Sequence, residues 1–238
     1  MKNLLIISQF LLPILSCTMP EENISYTPVD FVDPFIGVAD GRTSNCVIGP
    51  QLPFASINPS PQTPNGWHDG YSPDEPIRGF GQLHASGTGW GKYGMFLVSP
   101  QTGLYTGEQD HDSPKSAEKA SAFEYAVTLN RYDIDVKLTP SRHSAIYQFT
   151  YPQSDSSTLL FDVTHNIPMH IATVIGGEVS DAHVEVEKDG SVSGYGEYSG
   201  GFGSGSYKVY FSAQTSKNPS GYGVWLNDQV QEGQQHDQ

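Results

Sequence analysis

Apolar and polar residues alternate along most of the second half of the chain. Phe123, Tyr125, Val127 and Leu129 are each separated by one polar or small residue, as are Ile134, Val136 and Leu138. Ala145, Tyr147 and Phe149 follow the same rule, then Val184 and Val186, then Tyr207, Val209 and Phe211. A period of two places all apolar side chains on one face of an extended strand. Two runs depart from this alternation, the first of them continuously apolar. Met95-Phe96-Leu97-Val98 reads as a short strand, and Leu159-Leu160-Phe161-Asp162-Val163 as a central one. Turn formers such as Asp189-Gly190 and Gly200-Gly201 fall between the runs. Many short strands at this spacing predict an all-β, antiparallel sandwich of two large sheets. The single helical candidate, Ser113 to Ala122, reads equally well as a loop.

Upstream the pattern changes. Val32 to Pro76 is dominated by Pro, Gly, Asn and Asp, and Pro50, Pro53, Pro59, Pro61 and Pro64 exclude a long helix. Phe35, Ile36, Val47, Ile48, Leu52, Phe54 and Ile57 need burial, which predicts ordered loops and extended segments over the sandwich. At the other end, Gln229 to Gln238 is polar and non-periodic, the character of a linker or frayed end.

Charge narrows the ligand class. The 26 Asp and Glu against 12 Lys and Arg give a formal charge of −14, which argues against nucleic acid and against electrostatic attachment to anionic membranes. At the N-terminus, Lys2 precedes a mostly apolar run from Leu4 to Leu15, too short to span a bilayer but suited to a signal peptide. Ile14-Leu15-Ser16-Cys17 reads as a lipoprotein processing site, with Cys17 lipidated and the membrane reached only through that anchor. Cys46 is then the one unmodified thiol, which excludes an intramolecular disulfide and suits a small packing residue.

The densest chemistry lies in Ile77-Arg78-Gly79-Phe80-Gly81-Gln82-Leu83-His84-Ala85-Ser86-Gly87-Thr88-Gly89-Trp90-Gly91-Lys92-Tyr93-Gly94. Glycines permit close approach of the backbone to a ligand, Trp90 offers a flat apolar face, and His84 and Arg78 supply directional hydrogen bonds. That mixture fits a neutral polyhydroxyl ligand better than a phosphate. Gly89 to Gly94 satisfies the spacing of a dinucleotide loop, but an apolar strand follows where that loop requires a helix. Trp67-His68-Asp69 is a second candidate: Trp67 either stacks on a sugar or plugs a gap, and Asp69 either accepts hydroxyls or caps the turn at Gly70. Arg78 forks onto a ligand or onto a carboxylate of its own chain. Asp110-His111-Asp112 reads as a solvated turn rather than a metal site, and His165 as a structural hydrogen-bonding residue.

Several motifs in one order carry a resemblance. The Ile77–Gly94 block, Val32-Asp33-Pro34-Phe35-Ile36-Gly37, Pro50-Gln51-Leu52-Pro53-Phe54, Asn65-Gly66-Trp67-His68-Asp69-Gly70-Tyr71, Leu160-Phe161-Asp162-Val163-Thr164-His165 and Gly194-Tyr195-Gly196-Glu197-Tyr198-Ser199-Gly200-Gly201 together resemble the N-terminal domain of glycoside hydrolase family 92, the calcium-dependent exo-α-mannosidases. The resemblance implies a galactose-mutarotase-like super-sandwich over residues 29–228, preceded by a signal peptide (1–16) and a tether (17–28) and followed by the linker or frayed end (229–238). It implies that Trp67, His68, Asp69, Arg78, His84 and Trp90 line a substrate site for a mannose-containing glycan.

Inverting glycoside hydrolysis needs an acid and a base carboxylate roughly 6.5–9.5 Å apart. In the resembled family these, with the calcium ligands, lie in a C-terminal (α/α)₆ barrel. No long amphipathic helical stretch in this sequence supplies one. The expectation is a substrate-shaping domain, in an exported envelope lipoprotein, that is inactive alone and carries neither catalytic nor metal-ligating residues. The alternative is a lipid-anchored carbohydrate-binding module without turnover.

Overall fold

The computed structural model describes residues 26–38, 46–66, 69–84, 93–167, 178–199, 205–227 and 229–233. The leader with Cys17, and Trp67, His68, Trp90 and the Gly200-Gly201 pair, lie outside them. Thirteen strands are described: β1 (Ser60–Gln62), β2 (Gly79–Gly81), β3 (Leu97–Thr102), β4 (Lys115–Ala120), β5 (Tyr125–Leu129), β6 (Ile134–Pro140), β7 (Ala145–Thr150), β8 (Ser157–Asp162), β9 (Glu178–Val186), β10 (Ser191–Ser199), β11 (Tyr207–Gln214), β12 (Gly223–Leu226) and β13 (Gln229–Glu232). Among the described residues helical structure is confined to two short 3₁₀ turns, Pro28–Phe31 and Glu108–Asp110, and the fold is all-β as the alternation predicts.

All described pairings are antiparallel. The strands form four hydrogen-bonded sheets, ordered β1-β2-β3-β8, β4-β5-β6-β7, β11-β10-β9 and β12-β13, rather than two continuous ones. Prolines explain part of the division. β1 is three residues long because Pro59, Pro61 and Pro64 remove ladder donors around it.

The period-two reading holds best in β6, where Ile134, Val136 and Leu138 are buried and Asp135, Lys137 and Thr139 are exposed. Those residues join Phe80, Tyr125 and Ile48 in the main core, where the Phe80 and Tyr125 rings meet edge-on at 6.4 Å. A second cluster places Met95, Phe96, Val163 and Tyr198 beneath β9–β11.

Five expectations are corrected. The helical candidate at Ser113–Ala122 is strand β4, because its backbone groups pair with β5 rather than with one another. The run at Leu159–Val163 contributes β8, which among the described residues pairs with β3 alone and stands at the edge of its sheet; the interior strands there are β2 and β3, both almost wholly buried. Phe123 is not in a strand but in the Ser121–Glu124 turn, where Ser121 Oγ receives the Glu124 amide. Of the polar segment Gln229–Gln238, read as a linker or frayed end, Gln229–Glu232 forms β13, a hairpin partner of β12, and residues 234–238 lie outside the described residues. Finally, Ile48 is buried as expected, but Phe35, Ile36 and Phe54 are exposed.

Candidate functional site

The site is organised by Gln62, at the end of β1. Its neighbours are set by the ladder: Gln62 pairs with Gly79, and its carbonyl receives the Arg78 amide at 2.8 Å. Gln62 is buried, and its side chain ties three separate segments together. The amide nitrogen Nε2 donates to the Gly94 carbonyl at 2.9 Å and to His84 Nε2 at 3.0 Å, and Oε1 accepts from His165 Nε2. Gly94 is a requirement of this arrangement, since a Cβ there would stand 2.3 Å from Gln62 Nε2, and its φ is +86°.

These bonds fix the tautomers of both histidines. His84 Nε2 accepts from the Gln62 amide, so its proton sits on Nδ1, which donates to the Asn58 carbonyl at 2.8 Å. His165 Nε2 faces a carbonyl oxygen and therefore carries its proton. Burial pushes His84 down to about 4, against the opposing pull of its Asn58 bond. Burial likewise lowers His165 to about 4, although Asp162 favours its charged form. Both rings are neutral hydrogen-bonding groups near pH 7.

Arg78 closes one side. Its Nε and Nη2 donate to the two carboxylate oxygens of Asp112 at 2.7 and 3.0 Å, and Nη1 pairs with Glu108. The fork therefore closes on the chain's own carboxylates, the second of the two readings its sequence left open. Asp112 arrives there because Ile77 and Ser113 form a two-bond bridge that anchors the start of β4 beside β2. This also corrects the solvated-turn reading of Asp110-His111-Asp112. His111 is buried, with its pKa lowered by that burial, and Asp112 is held by Arg78.

Two adjoining open spaces, of about 410 and 630 Å³, share Arg78, Glu108 and His165. The first is walled by Gln62, Thr63 and Asn166, the second by His111, Asp162 and Trp225. Asp162 is engaged by the amide and hydroxyl of Thr164, at 2.9 and 2.7 Å. The cleft presents neutral imidazoles, amides and hydroxyls, with its guanidinium balanced by carboxylates. Such a surface recognises hydroxyl groups by hydrogen bonding and gives an anion little net attraction.

Of the residues expected to line a substrate site, Arg78 borders this cleft, and His84 stands behind its wall as the partner of Gln62. Asp69 is buried, and its carboxylate accepts the Tyr71 amide at 3.4 Å across Gly70, whose φ is +80°. It serves as the turn cap, not as an open acceptor. Trp67, His68 and Trp90 lie outside the described residues. The sequence reading missed Gln62, Glu108, Asp162 and Asn166. A glutamine among prolines carries no periodic signal, and only its burial between two histidines reveals it.

Fold and cleft together define an all-β sandwich domain with a polar cleft on a loop-rich side. The sequence model of the glycosyl hydrolase family 92 N-terminal domain matches residues 31–238, and the chain belongs to that family. Among solved structures it is similar to a family 92 α-mannosidase of Bacteroides thetaiotaomicron, with 27% identity and a TM-score of 0.70 over 87% of this chain and 30% of that one. The same mannosidase in complex with mannoimidazole gives 28%, 0.71, 87% and 29%. A family 92 glycosyl hydrolase, ccman5, shares the fold at 23% identity and a TM-score of 0.68, over 87% of this chain and 30% of that one. The chain thus spans under a third of the length of these enzymes. No curated protein matches it.

Proposed function

We propose that this chain is the substrate-shaping N-terminal domain of an exported, inverting exo-α-mannosidase. The observation that carries the reading is the family match over residues 31–238, together with a similar structure that holds mannoimidazole. The cleft around Arg78, Gln62 and His165 supports it, since it offers neutral hydrogen-bonding groups suited to sugar hydroxyls.

The acid and base carboxylates act from a C-terminal helical domain, as does calcium, which when bound supplies Lewis-acid contact to sugar hydroxyls. Among the described residues no group of three or more His, Cys, Asp or Glu is placed to hold a metal. The role proposed for this chain is to bind and orient. Arg78 keeps Asp112 and Glu108 in place, and Gln62 fixes the ring orientations of His84 and His165. Several large apolar side chains stand in water: Phe31 at 75% exposure, Ile36 at 73% and Phe54 at 103%. A second domain packed on this one would cover them. Export through the leader and anchoring through lipidated Cys17 complete the reading.

The test is release of mannose from α-mannobiose, with and without calcium, by this chain and by a protein extending it through the coding sequence downstream of Gln238. The expected result is no release by the chain alone and calcium-dependent release by the extended protein. An extended protein carrying a helical barrel but inert toward α-mannosides would sink the proposal.

A further inference from the structure

The sheet β11-β10-β9 has two unlike faces. One face packs Val184, Val209 and Phe211 against the second core cluster, with the Phe96 and Phe211 ring centroids 4.8 Å apart. The other face carries three rows set by the register. His183, Tyr195 and Tyr210 stand side by side across the three strands. On one flank of that row lie Asp181, Glu197 and Lys208, and on the other Glu185, Ser193 and Ser212. No aliphatic side chain occupies any of these nine positions.

The middle row is a continuous aromatic ladder, with ring centroids 6.0 Å apart between His183 and Tyr195 and 5.7 Å between Tyr195 and Tyr210. Cross-strand rings stabilise a sheet. This ladder has a second property, because Tyr210 is 70% exposed. Its neighbour is held in place: Tyr195 Oη donates to Asp181 at 2.9 Å, and Lys208 Nζ lies 3.9 Å from the Tyr195 ring centroid. Lys208 in turn reaches Asp181 and Glu197 at 3.4 and 3.5 Å. The result is an exposed ring beside a pinned one, bordered by carboxylates, an ammonium and hydroxyls.

We propose that this face is a second carbohydrate-binding surface, separate from the cleft, that holds a neutral glycan chain against the exposed ring of Tyr210 beside the pinned Tyr195. Aromatic faces cover the apolar C–H side of a sugar ring, while the flanking groups accept and donate to its hydroxyls. Three carboxylates against one lysine disfavour an anionic ligand. The cleft lies on the far side of the sheet, since Val163, whose carbonyl accepts from Tyr198 Oη, adjoins the cleft residues Asp162 and Thr164. Naming α-mannan as the glycan rests on the mannosidase reading; the existence of the surface does not. Such a surface keeps an exo-acting domain close to a polymer whose ends it trims.

Native affinity electrophoresis of the full chain tests this, with gels containing soluble α-mannan, β-glucan or no polysaccharide. α-Mannan is expected to retard the chain, and Tyr210→Ala to weaken that retardation about tenfold, the equivalent of ~1.4 kcal/mol. Tyr210→Trp should retain it, and Ile146→Ser, a change to an exposed side chain of β7 that belongs to neither the face nor the cleft, should leave it unchanged. Thermal melts of each variant separate lost binding from lost folding. Retardation that survives Tyr210→Ala but vanishes in Arg78→Ala would put the glycan in the cleft and overturn the proposal while leaving the family reading intact. Tyrosine-dependent retardation by β-glucan alone would support the surface and count against mannose as its ligand. No retardation in any gel, with a dimer in sedimentation that Tyr210→Ala dissolves, would make the face a self-association surface instead.

Discussion

Gln62 Nε2 lies 3.0 Å from Nε2 of His84, a contact that exists only while that imidazole nitrogen is unprotonated. A proton on His84 Nε2 would set two donors against each other and release the Gln62 side chain from one of the three segments it ties. The cleft therefore depends on neutral histidines.

The pH dependence of stability follows with a definite sign. His84 and His165 have folded values of about 4 against an ordinary 6.5, so between those limits the unfolded chain binds more protons than the folded one. Their contribution is fully present above pH 6.5 and is lost as the pH falls through 6.5 toward 4. The slope approaches ~1.4 kcal/mol per pH unit for each histidine. Urea denaturation at intervals from pH 4.5 to 7.5 should show it, and His84→Asn should flatten it; a flat profile in the parent chain would refute the assignment.

Removing the organiser itself should be costly. Gln62→Leu strands His84, His165 and the Gly94 carbonyl without their partner, and each unsatisfied buried group costs about 1–3 kcal/mol. A loss of roughly 2–4 kcal/mol in denaturant unfolding is expected, more than for His165→Ala. A smaller loss would mean that water replaces the amide.

Arg78 and Asp112 form a bidentate pair with side chains only 11% and 17% exposed. Arg78→Lys loses the fork and should destabilise by about 1–3 kcal/mol, because an ammonium cannot satisfy both oxygens. A double-mutant cycle with Asp112→Asn should give a coupling energy above ~1 kcal/mol. Additive single effects would show that the pair contributes no specific interaction.

A bulge in β4 carries the fourth prediction. Lys115 and Glu118 are three apart, which in a regular strand puts them on opposite faces. The register slips between Ser116 and Lys119, with Ala117 at φ +51°, and this turns both side chains inward to meet at 3.0 Å. There Tyr71 and Tyr125 both donate to Glu118, at 2.8 and 2.5 Å. Ala117→Gly relieves the left-handed strain and should raise stability by up to ~1 kcal/mol in thermal unfolding. A destabilised variant would show that the bulge forms without strain.

Membrane attachment is the last prediction. Cys17→Ser should abolish incorporation of radiolabelled palmitate and move the protein from the membrane to the soluble fraction. Unchanged fractionation would remove the lipid anchor from the proposed function.

The all-β class was legible because period two is a local property: Ile134, Val136 and Leu138 need only their own spacing to declare a buried face. Family membership was legible as well, since ordered motifs such as Asn65 to Tyr71 and Ile77 to Gly94 survive as strings. The cleft was not. Gln62 meets His84 across 22 positions and His165 across 103, and no local pattern encodes a hydrogen bond between segments joined only by sheet register.

Asp69 and Arg78 show the same division at single residues. Their types limited each to a few roles, and burial then chose between them: Asp69 caps its turn, and Arg78 spends its fork on Asp112. The β4 bulge goes further, because one residue in the left-handed region reverses every inward and outward assignment after it. The sequence alone determined what alternates and which family's motifs it carries. Only the tertiary structure decided which polar groups meet, because their partners come from distant strands whose register no local spacing records.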